Sequence, residues 1–219
     1  MATVSKLDMT EGMRELYAPG RDPALVTVPE FSFLMIDGHG DPNVAPAYRE
    51  AIEALYSVSY TIKFALKKGP QGLDYRVMPL EGLWSAENMA AFAEGRKSEW
   101  DWTMMIRQPD LVDRDLLERG IAEATGRREL PGASLLRLER YEEGLAAQVM
   151  HIGPYAAEGP TIAALHAFVA DHGLELRGRH HEIYLGDPRR AAPERLKTAL
   201  RQPVAIRSPS SSGGAAAPA

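Results

Sequence analysis

One order of elements occurs twice along this chain: strand, helix, strand, strand. In the first half, LVTVPEFSFLMIDGHGDPN, from Leu25, alternates loosely and ends in a glycine-rich turn. PAYREAIEALYSVSYTIKFALKK (46–68) follows, with Ile52, Leu55, Ile62 and Leu66 at helical spacing and Tyr48, Ile52, Tyr56, Tyr60 and Phe64 on an i+4 row. The β-branched residues Val58, Thr61 and Ile62 oppose a helix, but the length and the absence of internal Gly or Pro favour one. DYRVMPLEGLW (74–84) and EWDWTMMIR (99–107) read as strands, the second placing Trp100, Trp102 and Met104 on one face. In the second half, SLLRLERYEEGLAAQVMHIGPY (134–155) reads as a hairpin turning at Glu143-Gly144, and PTIAALHAFVADHG (160–173) as a helix stopped by Gly173. ELRGRHHEIYLGDP is then a strand, followed by a short helix near 193–201 and a last strand, PVAIR. Sliding one half by 113 residues aligns Gly40 with Gly153 and Leu55 with Phe168.

These elements divide the chain into an N-terminal extension (1–24), two repeat halves (about 25–109 and 132–207), a connector helix (110–130) and a low-complexity, disordered tail from Ser208 to 219. An αβ protein built from two similar halves has a natural ligand site, because concave seams between halves favour pockets.

Composition narrows the functional classes. A formal charge of −5 and scattered basic pairs (Lys67-Lys68, Arg127-Arg128, Arg189-Arg190) give no lysine/arginine stripe for direct nucleic-acid contact. Cysteine is absent, so there is no disulfide framework, thiolate nucleophile or cysteine metal site. The N-terminus lacks the apolar core of a signal peptide, and no stretch is long and apolar enough to span a bilayer. A cytoplasmic protein without membrane contact is expected.

The chemistry concentrates in RHHEIYLGDP (179–188). On a strand His180, Glu182 and Tyr184 share one face, and His180 and His181 point to opposite faces, which argues against a shared metal. Nor is there an H-E-x-x-H motif, so neither metal nor cofactor is expected. The run Gly38-His39-Gly40-Asp41-Pro42 has neither the lysine of a phosphate loop nor dinucleotide spacing, and reads as a turn; His151-Ile152-Gly153-Pro154-Tyr155 is its counterpart. Tyr56, Tyr60, Trp84, Trp100, Trp102, Tyr155 and Tyr184 all fall in elements facing a core or seam. Each alone reads as packing, but as a set their polar tips need partners, which suits a lined cavity. For Glu182 two readings stand side by side: a solvated edge-strand residue or salt-bridge partner of Arg177 or Arg179, and a carboxylate kept in a pocket for a cationic or proton-demanding ligand.

HIGPY (151–155), HHEIYLGDPRR (180–190) and PERLKTALRQPV (193–204) together resemble the second half of the GyrI-like small-molecule-binding proteins. DGHGDPN (37–43), EALYSVSYTIKF (53–64) and VMPLEGLW (77–84) resemble the first half of a stand-alone subfamily that includes cyclopropanoid cyclopropyl hydrolases. In that subfamily a second tryptophan commonly follows the position of Trp84, where this chain has Ser85. The resemblance implies an α+β fold, a pseudo-twofold pair of strand-helix-strand-strand modules (an SHS2 repeat) with antiparallel sheets around a central aromatic groove. It also implies a functional glutamate, at the position of Glu182. The expected activity is binding of planar hydrophobic or cationic xenobiotics and hydrolysis of the cyclopropane of DNA-alkylating cyclopropapyrroloindoles, a detoxification that confers drug resistance. Glu182, Tyr184 and Tyr155 are the expected catalytic groups; Tyr56, Tyr60, Trp84, Trp100, Trp102 and His151 are the expected ligand contacts. Alternatives are a non-catalytic, drug-sequestering protein, or one that contacts DNA gyrase. The modest charge and lack of a dense acidic run weigh against the gyrase reading.

Overall fold

The computed structural model describes residues 5–70, 72–87 and 94–207. After a short strand β1 (Ser5–Leu7), the first half runs β2 (Ala24–His39), α1 (Pro46–Lys68), β3 (Leu73–Tyr75), β4 (Leu80–Ala86) and β5 (Trp100–Gln108). A connector helix α2 (Arg114–Thr125) leads to β6 (Arg137–Ile152), α3 (Gly159–Asp171), β7 (Leu174–Leu176), β8 (His180–Tyr184) and β9 (Lys197–Ile206). Setting aside the three-residue strands, each half is strand, helix, strand, strand, as the sequence predicts.

The six longer strands close on themselves in the order β6, β2, β5, β4, β8, β9 and back to β6, every neighbouring pair antiparallel. Antiparallel closure removes the unpaired edges that would otherwise template aggregation. The register makes the two faces explicit, since paired residues lie on the same side. One row runs Ile36, Met104, Gly82, Glu182, Leu200, Val149. The row beside it runs Leu34, Ile106, Leu80, Tyr184, Thr198, His151. This is the outer face, and the helices cover it. Leu55, Val58, Ile62 and Leu66 of α1 pack with Ile36, Trp102 and Met104, and Leu165 and Val169 of α3 pack with Val149 and Leu200.

Helix α1 starts with Pro46, whose missing N–H costs nothing in the first turn. Its β-branched residues Val58, Thr61 and Ile62 are all buried, so packing overrides their weak helix propensity. The connector α2 is shorter than the predicted 110–130, and Asp113 caps it by accepting from the Leu116 N–H at 2.8 Å. Gly120 of α2 lets the two helices approach, because a Cβ there would lie 2.8 Å from Ile62.

Three local expectations are corrected. The hairpin expected at Glu143-Gly144 is a continuous strand: Gly144 adopts φ 70°, yet β6 pairs with β2 on both sides of it, from Ala24↔Gln148 to Met35↔Arg137. A ladder against a partner equally long outweighs one turn-prone glycine, which kinks the strand without reversing it. The helix expected near 193–201 is a single turn at Pro193–Arg195 followed by β9, because Lys197–Arg201 are paired with β6 on one side and Thr198–Arg201 with β8 on the other. The strand read over 74–84 divides into β3 and β4, separated by the segment that ends in Pro79, a residue with no N–H to give a ladder. The tail from Ser208 lies outside the described residues.

Candidate functional site

Glu182 projects from the middle of β8, which lies between β4 and β9 and is not an edge strand. Neither arginine named as a salt-bridge partner reaches it: Arg177 donates to the carbonyl of Glu143, and Arg179 to the Thr103 hydroxyl. Its carboxylate instead accepts from the Tyr184 hydroxyl at 2.7 Å, and Tyr184 in turn accepts from Trp84 Nε1 at 3.1 Å. Gly82, opposite Glu182 in the register, leaves room for this chain. A Cβ there would stand 2.9 Å from Trp84 Nε1 and 3.2 Å from the Tyr184 hydroxyl.

Aromatic rings close around the carboxyl. Tyr48, in the first turn of α1, packs edge-on against Trp102 at 5.1 Å, and burial, with the charge of Glu182 added, raises its phenol. Trp84 stands edge-on to Trp100 at 5.7 Å, and Tyr155 edge-on to Tyr184 at 5.5 Å. Tyr155 belongs to the short turn just before α3, so the beginnings of both helices meet over β8. The Glu182 side chain is enclosed, with 15% of its surface exposed.

Burial disfavours the charged form, and Glu182 rises to about 7 although the Tyr184 hydrogen bond works the other way. Burial also pushes the phenols up, Tyr155 to about 12 and Tyr184 well above the ordinary range, the nearby carboxyls adding to it. His180, 3.7 Å from Glu182 through Nε2, is lowered to about 4 by burial, so at neutral pH it carries no charge to pair with the carboxylate.

Of the residues singled out from sequence, Glu182, Tyr184, Tyr155, Trp84 and Trp100 come together here. Trp102 forms a buried layer behind Trp84 and Tyr48, so close over Gly38 that no side chain could replace that glycine's hydrogen. Tyr56 lies towards the rim, stacked on Tyr60. Tyr60 is 46% exposed and continues that stack outward to Phe64. His151 is buried beneath α3, with Nδ1 2.9 Å from the Thr161 hydroxyl. Two residues of the site were not singled out. Tyr48 stands on the i+4 row already noted, but nothing in its spacing separates it from Tyr60. Glu158 lies in the turn after Tyr155, where no periodicity reports which way a side chain points.

Behind the site, on the inner face of the strand ring, lies a buried ionic cluster. His181 Nε2 is 3.0 Å from Glu81, its Nδ1 is 3.1 Å from both oxygens of Glu143, and Arg201 Nη1 donates to Glu143 at 3.0 Å. Arg201 also donates to the carbonyl of Leu16, which fixes the N-terminal segment against the ring. Burial alone would lower His181, but Glu143 and Glu81 hold it up to about 9. Burial alone would raise Glu143, but His181 and Arg201 hold it down to about 2.

Residues 21–205 match the GyrI-like small molecule binding domain. The chain belongs to the GyrI-like family. It resembles the crystal structure of an uncharacterized conserved protein from Listeria innocua, with 40% identity, a TM-score of 0.83, and coverage of 91% of this chain and 100% of that one. It also resembles two structures described as hydrolases from the same organism, each at 38% identity and fully covered, with TM-scores of 0.79 and 0.80 over 91% and 92% of this chain. At 14% identity the EcmrR C-terminal domain shares the fold alone, with a TM-score of 0.52 over 85% of this chain and 98% of that one. No functionally curated protein matches. The pseudo-twofold α+β architecture of this GyrI-like chain is thus the one its repeat predicts, and its domain is a small-molecule-binding one. Among the described residues no helix is long and apolar enough to cross a membrane.

The space at Gly82 gives a first test. Gly82→Ala must displace Trp84 or Tyr184 from their hydrogen bond, with an overpacking cost of about 1–3 kcal/mol. We expect a lower melting temperature and shifted tryptophan emission; an unchanged spectrum would mean that Gly82 does not set the groove floor.

Proposed function

We propose that this protein binds planar hydrophobic compounds in the aromatic groove over β8 and hydrolyses the electrophilic cyclopropane of cyclopropapyrroloindole-type molecules, protecting the cell that makes it. The observation that carries the reading is the enclosed Glu182 carboxyl, hydrogen-bonded to Tyr184 among Trp84, Trp100, Tyr48 and Tyr155. The 38% identity to proteins described as hydrolases supports hydrolysis in general; the cyclopropane is what the resemblance to the cyclopropanoid cyclopropyl hydrolases implies, and the residues of the groove suit it.

Such a substrate carries the ring conjugated to a dienone. Hydrogen bonding to the dienone oxygen draws electrons from the ring, and water attacks the ring carbon as the carbon–carbon bond breaks. The pair from that bond leaves a phenolate, which then takes up a proton. Trp84 and Trp100 provide faces for the flat heterocycle, and Glu182 orients the water and accepts its proton. With the Tyr184 hydroxyl already donated to Glu182, Tyr155 at the rim is the hydroxyl available to the developing phenolate.

Tryptophan emission should respond saturably to planar hydrophobic compounds, because Trp84 and Trp100 sit in the groove. A flat response across a panel of such compounds would contradict the binding part of the proposal. Tyr184→Phe removes the hydrogen bond to Glu182 but keeps the ring. Turnover should fall several-fold, less than on loss of a general base itself, which costs at least ~10²-fold, with affinity nearly unchanged. A Tyr184→Phe enzyme slower than one lacking the Glu182 carboxyl would reverse the assigned roles.

A further inference from the structure

The ionic cluster behind the groove closes on itself through the N-terminal segment. Arg201 of β9 donates to the carbonyl of Leu16 and, at 3.0 Å, to Glu143 of β6. Glu143 faces Nδ1 of His181 on β8 at 3.1 Å, and Nε2 of His181 lies 3.0 Å from Oε2 of Glu81 on β4. The other oxygen of Glu81 accepts from the Tyr17 hydroxyl at 3.3 Å. The circuit therefore begins at Leu16, crosses four strands and ends at Tyr17, the next residue in the chain. Glu81, Glu143, His181 and Arg201 are all buried, so bulk water does not compete for these bonds. Leu16 and Tyr17 fall outside residues 21–205, the stretch that matches the GyrI-like domain.

The place of the Glu81–His181 bond gives the circuit a consequence. Gly82 and Glu182 face each other across β4 and β8, and the residues before them, Glu81 and His181, point to the opposite side of the sheet. The bond thus spans the two strands directly behind Glu182. In front, Gly82 has no side chain to press on the carboxyl, and a glycine inside a strand weakens it. The bond behind supplies the hold that Gly82 does not. Burial would lower His181, but Glu143 and Glu81 hold it up to about 9, so it donates from both nitrogens. Burial, with the charge of Glu81 added, pushes the Tyr17 phenol up, so it remains a donor.

We propose that Glu81 and His181 are positioning residues: with Tyr17 reaching in from the N-terminal segment, they fix β8 against β4 and so set where the Glu182 carboxyl stands in the groove. The catalytic consequence rests on the hydrolase reading, but the placement of Glu182 can be read without turnover. All three act from behind the strands, so they reach the reacting atoms only through Glu182. Misplacing a reacting group by about 1 Å costs on the order of 10²-fold in rate. A slackened β8 should therefore lower kcat and leave KM nearly alone.

The test compares Glu81→Gln, Glu81→Leu and Tyr17→Phe in the full chain with Leu66→Ala, a stability control at the end of α1 remote from Tyr48. Glutamine keeps an oxygen for His181, leucine loses the bond, and Tyr17→Phe opens the circuit while leaving every charge paired. The readout without substrate is the indole N–H resonance of Trp84, whose hydrogen bond to Tyr184 leads to Glu182. Assigned by its loss in Trp84→Phe, this resonance should move in Glu81→Leu and return towards the parent position in Glu81→Gln. It should move less in Tyr17→Phe and stay in place in Leu66→Ala. A signal unmoved in Glu81→Leu, or moved as far in Leu66→Ala, overturns the proposal whatever the activity. One unmoved only in Tyr17→Phe overturns the role of the N-terminal segment, and if Glu81→Leu fails to fold, Tyr17→Phe decides the whole. Where the parent hydrolyses its substrate, Glu81→Leu should lower kcat by ~10-fold or more, with KM within about twofold, and Glu81→Gln should recover most of the loss. A Glu81→Leu enzyme as fast as Leu66→Ala, or a glutamine variant as slow as the leucine one, overturns the catalytic consequence. A resonance that moves as expected in a protein that forms no product supports the positioning and refutes the hydrolase reading.

Discussion

Glu182→Gln should slow ring opening by ~10²-fold or more, the usual scale for removing a general acid or base, while affinity for planar ligands stays within about twofold. The amide keeps the size of the carboxyl and its capacity to accept from Tyr184, so the groove walls should hold their places. What it loses is the group that takes the proton of water. The same substitution should make the protein more stable at alkaline pH. A carboxyl whose native pKa is raised to about 7 keeps its proton in the folded state while the unfolded chain, with a value near 4.5, gives it up. Unfolding is therefore favoured as pH rises through that interval, and the variant, with nothing to ionise, escapes the loss. Melting curves at pH 5 and pH 8 should show the parent losing more stability than the variant between the two. Equal turnover in parent and variant would reduce Glu182 to a structural residue.

The largest effect on stability is expected from the ionic cluster on the inner face. Arg201→Met removes the guanidinium that Glu143 and the Leu16 carbonyl both bind, leaving a buried carboxylate with only His181 beside it. Removing one partner of a buried pair costs about 3–5 kcal/mol, because the remaining charge is stranded, which for a chain of this length lowers Tm by on the order of 10 °C. The cluster also sets a pH window. His181, raised to about 9, contributes stability that is complete below its unfolded value of 6.5 and is lost as pH climbs through 9. Glu143, lowered to about 2, contributes stability that is complete above its unfolded value of 4.5 and is lost as pH falls through 2. Thermal denaturation across pH 2–10 should therefore fall off on both flanks in the parent. An Arg201→Met protein that melts with the parent would show that the cluster adds nothing to stability.

Much of this was legible in the sequence, and the failures have physical causes. Long amphipathic segments such as 46–68 declare themselves, because burying one helix face demands a period that the sequence must carry. The repeat declared itself through element order, and Gly40 and Gly153, aligned by the 113-residue slide, both adopt positive φ at the ends of their strands. The Glu143-Gly144 pair misled because a left-handed glycine serves a kinked strand as well as a hairpin, and only the length of β2 decides between them. Residues 196–201 misled because helix-forming side chains yield to two flanking ladders. The alternation of His180, Glu182 and Tyr184 on one face and His181 on the other was legible, because strand geometry fixes it without tertiary information. The partners of His181 were not legible. Their contacts join residues far apart in the chain, and no local pattern encodes such a meeting.

Mass spectrometry of a cyclopropapyrroloindole incubated with the protein in water enriched in oxygen-18 addresses the central claim most directly. The account predicts a product heavier by one labelled water, formed catalytically by the parent and at least ~10²-fold more slowly by Glu182→Gln. Recovery of unchanged compound, or water addition at equal rates with parent, variant and no protein, would contradict it.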